Sequence, residues 1–217
     1  MLVTASRASA QTVEFRVLGW NGPISDLHYE SEGKSLPLNA VENGLSQPYH
    51  FKGAATLDLY REEKHGDKTV RIPAATLPIP AGLKQAILVL APANADKHTC
   101  EGIWLDDSME ARPVNCLSFF NLSHLPVAIK AGADDIHLAP QEKSRLLPFD
   151  LKAHSIPMKV AVNPGTGWEI VFSEPQSVHA GLRILILFRD GRADSFGNRT
   201  PVDFVKLYDY VPPSPQP

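Results

Sequence analysis

The chain has 217 residues, 43% of them hydrophobic and 21% charged, with a formal net charge of -3 at pH 7 and a pI near 6.2. This apolar content excludes global disorder, and mild acidity without a Lys/Arg cluster removes the electrostatic footprint that nucleic acid binding needs. Nineteen prolines spread along the chain argue against long helices, since each costs about 3 kcal/mol inside one, and the strongest apolar runs are far shorter than the roughly 20 residues of a membrane-spanning helix.

In chain order, residues 1–12 read as a tail. Ala8-Ser9-Ala10 before Gln11 has the small-x-small form of a signal-peptidase site, but no apolar stretch precedes it. The expectation is the remnant of a secretory signal, with an ordinary small-residue tail as the alternative. Val13, Phe15 and Val17 alternate with polar neighbours, as do Leu57 and Leu59, and Val70 and Ile72, which predicts half-buried strands. Turn chemistry separates them at Asn21-Gly22-Pro23, Ser31-Glu32-Gly33-Lys34 and His65-Gly66-Asp67-Lys68. Ala86 to Leu90 reads as a central strand buried on both faces. After Ile103-Trp104-Leu105, residues 109–113 read as a short linker. Val127 and Ile129, then Met158, Val160 and Val162, repeat the alternation. Asn163-Pro164-Gly165-Thr166-Gly167 is a turn, Ile184 to Phe188 a second central strand, and residues 211–217 a proline-rich tail.

The stretch beginning Ala81-Gly82-Leu83 returns as Ala180-Gly181-Leu182, 99 positions later. At an offset of 100, Trp20 meets Phe120, Asn21 meets Asn121, Leu38 meets Leu138, Pro48 meets Pro148 and Tyr49 meets Phe149. Leu57 to Leu59 lies over Met158 to Val160, and Ile103 to Asp107 over Val205 to Asp209, with loop-sized shifts. The expected fold is therefore all-β: two tandem Ig-like or transthyretin-like β-sandwich domains, 13–108 and 114–210, related by internal duplication.

Asn121-Leu122-Ser123-His124-Leu125-Pro126, running into a valine-rich strand and then Leu138-Ala139-Pro140-Gln141, resembles uncharacterised tandem Ig-like β-sandwich domains of bacterial exported proteins. Those domains carry an Asn-x-Ser-x-x-Pro turn and a Leu-x-Pro-Gly turn. Here Gln141 stands in place of the glycine, and the first half keeps only Asn21 and Pro23. The resemblance implies the fold and export, and it carries no catalytic residue across.

Cys100 and Cys116 are the only cysteines, and a bridge between them would add about 3 kcal/mol in an oxidising compartment; the alternative is two unpaired thiols. His98, Cys100, Cys116 and His124 could in principle hold zinc, but none of them is spaced as C-x-x-C. Asp106-Asp107 with Glu110, and Asp134-Asp135, are the acidic groups available to a carboxylate mechanism, though neighbours on a strand face opposite ways. No nucleophile elbow, phosphate loop or zinc-protease motif occurs, so no catalytic, cofactor or metal residue is assigned. Trp20 and Trp168, beside turns, are the candidate binding aromatics, and Trp104 sits within a strand. Asn121-Leu122-Ser123 and Asn198-Arg199-Thr200 match the glycan-acceptor pattern. The functional expectation is a non-enzymatic, exported module of the periplasm, cell surface or extracellular space, with a protein partner or a structural role. The alternatives are a carbohydrate-binding module using Trp20 or Trp168, a two-domain periplasmic chaperone, and a hydrolase.

Overall fold

The computed structural model describes residues 11–93, 98–142, 145–191 and 199–212. The signal-like stretch before Gln11, Asn198 and the end of the tail lie outside them. Every regular element among the described residues is a strand, and no helix is long and apolar enough to cross a membrane.

The chain divides into two compact units between Ala111 and Arg112. Unit 1 contains β1 (Gln11–Gly19), β2 (Ile24–Ser31), β3 (Lys34–Glu42), β4 (Tyr49–Gly53), β5 (Thr56–His65), β6 (Lys68–Pro78), β7 (Gln85–Pro92) and β8 (Cys100–Asp106). Unit 2 contains β9 (Cys116–Asn121), β10 (Val127–Ala131), β11 (Asp134–Leu138), β12 (Arg145–Pro148), β13 (Ser155–Val162), β14 (Glu169–Ser177), β15 (Leu182–Asp190) and β16 (Val202–Tyr210).

In unit 2 the strands form two four-stranded sheets, β11-β10-β13-β14 and β12-β9-β15-β16. Unit 1 has the same neighbours in the same order, β3-β2-β5-β6 and β4-β1-β7-β8. A short parallel contact of Leu18 and Gly19 with Val41 and Glu42 joins its two sheets into one. The first and seventh strands of each unit run parallel, and the other repeated pairings are antiparallel. A register shift falls between Leu59 and Tyr60 in β5 and between Val160 and Ala161 in β13, the same place in each fifth strand.

Each unit encloses its own core between its sheets. Val17, Leu27, Leu38, Leu57 and Leu88 are fully buried in unit 1, as are Leu117, Val127, Val160, Ile184 and Phe188 in unit 2. Each such side chain stabilises the fold by about 1.5–3 kcal/mol. Ala86 to Leu90 and Ile184 to Phe188 are buried at every position, as continuous apolar strands require. Phe51 is the buried aromatic of β4 and Phe149 its counterpart after β12, whereas Tyr49 is only half-buried; the uniform offset that set Tyr49 over Phe149 is corrected by two residues there. Arg112, read from the sequence as linker, is 1% exposed, and its carbonyl accepts from Arg183 Nε at 2.7 Å.

The turns explain the motifs. Glu32 and Gly33 are both left-handed (φ 50 and 75), as a two-residue primed hairpin turn demands. A Cβ on Gly19 would collide with the Gly22 carbonyl. Asn121 is fully buried; its Nδ2 donates to the Leu125 and Ala139 carbonyls at 2.8 and 2.9 Å, and its Oδ1 accepts from the Ser123 N–H and hydroxyl at 3.0 and 2.7 Å. Gln141 adopts φ 59, the conformation a glycine would take at that turn, and its Nε2 donates to the Leu122 and Ser123 carbonyls. The Asn-x-Ser-x-x-Pro motif is therefore structural cement. Asn121, buried with its amide engaged, offers no glycan acceptor in the folded chain.

Candidate functional site

Strand alternation sends Val127, Ile129, Val160 and Val162 into the core of unit 2 and leaves Ala128, Lys130, His137, Lys159 and Ala161 on the outer face of β11-β10-β13-β14. Cross-strand register sets His137, Ala128, Ala161 and Ile170 in one row across that face. The two alanines are half-buried and short, so the middle of the row is low. Ile170, at one end, is 66% exposed.

Trp168 enters from the glycine-rich turn before β14. Gly165 and Gly167 take φ 100 and 129, and the Asn163 carboxamide accepts the Gly165 N–H at 2.9 Å. That turn brings the indole edge-to-face with His137 on the opposite edge strand, centroids 5.9 Å apart at 74°. The indole remains 50% exposed. Beside the row, Lys130 donates to Asp135 at 2.8 Å. An exposed tryptophan and isoleucine over a small-residue floor, bordered by charge, has the make-up of a contact patch with an apolar centre and a polar rim.

Trp20 is half-buried, and its backbone N–H donates to the Leu90 carbonyl at 2.6 Å. Trp104 packs on the core of unit 1 edge-to-face with Phe15, 5.4 Å between centroids.

In place of the bridge considered from the sequence, Cys100 and Cys116 are free and buried, and burial pushes both thiols up. A protonated, enclosed thiol is a poor nucleophile. Among the described residues no group of three or more His, Cys, Asp or Glu could hold a metal ion; of the four residues considered for zinc, His98 and Cys100 belong to unit 1 and Cys116 and His124 to unit 2. The acidic pairs are occupied locally. Asp107 is 7% exposed and accepts from Arg16 at 2.6 Å. Asp106 caps the turn at Ser108, and Asp135 pairs with Lys130, while Glu110 and Asp134 are exposed.

Two features were not legible beforehand. An open cleft of about 580 Å³ lies on the outer face of unit 1, lined among others by Glu30, Glu32, Lys52, Asp58, Tyr60 and Arg71. Two of its three carboxylates are paired, Glu30 with Arg71 at 2.9 Å and Glu32 with Lys52 at 2.7 Å, and Asp58 accepts from the Thr76 hydroxyl at 2.7 Å. The Lys52 ammonium holds the Glu32 carboxyl below its usual range. Alternation set Asp58 and Arg71 between apolar neighbours but could not show that they border a hollow. The second is the flank of unit 2 around Lys206, whose partners come from β14 and β16. A scan against protein-family models finds no match for this chain, and a search of the curated proteins finds none either.

Proposed function

We propose that the protein is an exported, non-enzymatic tandem of two β-sandwich domains that binds a protein partner through the outer face of unit 2. The observation that carries this is the exposure of Trp168 and Ile170, 50% and 66%, on one face: Ile170 ends the row on β14, and the Trp168 indole lies against His137, which ends it on β11. Isolated exposed apolar residues are ordinary, whereas a tryptophan and an isoleucine beside a low alanine floor match the anchors of protein interfaces. Docking uses the face rather than the edge of this sheet. Pro175 interrupts β14, its outermost strand, and lies opposite Pro157 of β13, so its missing N–H is one that would otherwise point outward.

Duplication is part of this reading, supported by eight strands in each unit with matching pairings and a bulge at the same place in the fifth strand. The transthyretin-like form of the sandwich is favoured over the Ig-like one. An Ig constant-type sheet sets the first strand beside the second, whereas here β1 lies between β4 and β7. Export follows from the resemblance and from Ala8-Ser9-Ala10.

The experiment is affinity recovery from cross-linked cells of the native host with wild-type chain and with Trp168→Ala. One protein recovered by the wild type and lost with the variant is the expected result; equal recovery by both overturns the assignment. Glycan binding is the second reading, favoured by the half-exposed indole, which could stack on a sugar ring. Retention on cell-wall polysaccharide with quenching of Trp168 fluorescence would establish it instead.

A further inference from the structure

β14 and β16 are the outermost strands of the two sheets of unit 2, each paired on one side only. No backbone ladder joins them, so side chains alone close the core along this flank. Phe172 of β14 and Phe204 of β16 meet edge-to-face, centroids 5.0 Å apart at 80°, and Phe204 continues to Phe188 in the core at 6.1 Å. One step along, Gln176 Nε2 donates to the Tyr208 hydroxyl at 3.4 Å. Between these contacts stands Lys206, half-buried, its Nζ 4.3 Å from the Phe172 ring centroid and 5.3 Å from that of Phe204.

A lysine ammonium normally keeps water or a carboxylate. Lys206 has lost much of the first, and Glu174 of β14 acts on it only through longer-range attraction. Removal from water lowers its pKa, and Glu174 partly offsets this. Lys52, with Glu32 bonded to it, is shifted the opposite way. The ring faces favour the cation, but they offer no hydrogen bond to replace those of water. The groups facing Nζ are Glu174 from β14, Tyr208 from β16 and apolar Ile186 from β15. Arg183, Arg189, Asp203 and Asp209 lie on the other face of the sheet by alternation. A desolvated amine at an accessible flank is the state in which lysine acts as a nucleophile toward carbonyls.

We propose that Lys206 is a covalent modification site for aldehydes with an apolar tail, the amine held over the Phe172 and Phe204 rings and the tail lying along them. The Nζ lone pair forms the N–C bond to the carbonyl carbon, and the carbonyl oxygen is protonated to give a carbinolamine. Loss of that oxygen as water, carrying away the two amine hydrogens, leaves the imine. Nothing is oxidised or reduced.

The test treats the full chain with hexanal, traps the imine with borohydride and maps adducts by mass spectrometry from neutral to alkaline pH. Each unit by which a lysine pKa falls raises its neutral fraction at neutral pH about tenfold. Lys206 is therefore expected to label several-fold faster than exposed Lys159 at neutral pH, with its labelling midpoint at lower pH. Glu174→Gln, an exposed position, removes the stabilising anion and should move that midpoint lower still, while Phe204→Leu should reduce the preference for hexanal over formaldehyde. Lys206 labelling no faster than Lys159, or a midpoint indifferent to Glu174→Gln, overturns the proposal.

Discussion

Asn121→Ala tests whether the turn motif holds unit 2 together. The carboxamide is fully buried and makes four bonds of 3.0 Å or less: two as donor to the Leu125 and Ala139 carbonyls, two as acceptor from Ser123. Alanine removes all four. The Leu125 carbonyl retains the Ser123 hydroxyl and the Ala139 carbonyl retains the Glu142 N–H, but the Ser123 N–H loses its acceptor inside a fully buried residue. Each bond contributes about 0.5–1.5 kcal/mol net and an orphaned buried donor costs about 1–3 kcal/mol, so the expected loss is about 3–4 kcal/mol. For a unit of this size that lowers Tm by roughly 15 °C or more. Urea denaturation and thermal melts followed by far-UV circular dichroism measure it. Asn21→Ala is the control: Asn21 is exposed at φ 66, and only the left-handed backbone cost of about 1 kcal/mol applies. A loss below 1 kcal/mol for Asn121→Ala, or equal losses at the two positions, refutes the structural role of the motif.

Other expectations follow from the same geometry. Gln141→Ala should cost about 1–2 kcal/mol more than Gln141→Gly in denaturant melts, because both lose the bonds to Leu122 and Ser123 but only glycine relieves φ 59; equality would contradict it. Arg16→Ala deprives buried Asp107 of its 2.6 Å partner and should destabilise by about 3 kcal/mol or more, with Asp107→Asn milder, as read by urea midpoints. Both thiols should resist alkylation in the folded chain and react fully in denaturant, and reductant should leave Tm unchanged; a reductant-sensitive melt would mean that they pair. Because Lys52 depresses the folded pKa of Glu32, the pair's stabilisation is present above the unfolded pKa and disappears as pH falls through the folded value. Lys52→Ala should therefore differ slightly from wild type at neutral pH and low salt and coincide with it in acid; a difference that persists there refutes the linkage.

Much of the fold was legible because strand periodicity and turn chemistry are local. Val13, Phe15 and Val17 alternate in the chain and face the core in the structure, and Ser31-Glu32-Gly33-Lys34 forms the expected turn. Ile87 and Leu187, inside the uninterrupted apolar runs, are buried as such runs predict. What failed needed partners distant in sequence. Arg112 reads as a linker residue until its carbonyl meets Arg183, and nothing next to Lys206 in the chain foretells that Phe172 reaches it from β14. Trp168 could be marked as exposed from its glycine-rich turn, but His137 and Ile170 join it only through the register of four strands.

The most direct measurement of the binding claim is site-specific photo-cross-linking in the native host, with the photoreactive side chain placed at position 170 and, as a control, at exposed position 62 of unit 1. Binding through the outer face of unit 2 predicts one protein adduct from position 170 that is absent from position 62. No protein adduct from position 170, or the same adducts from both positions, would contradict it.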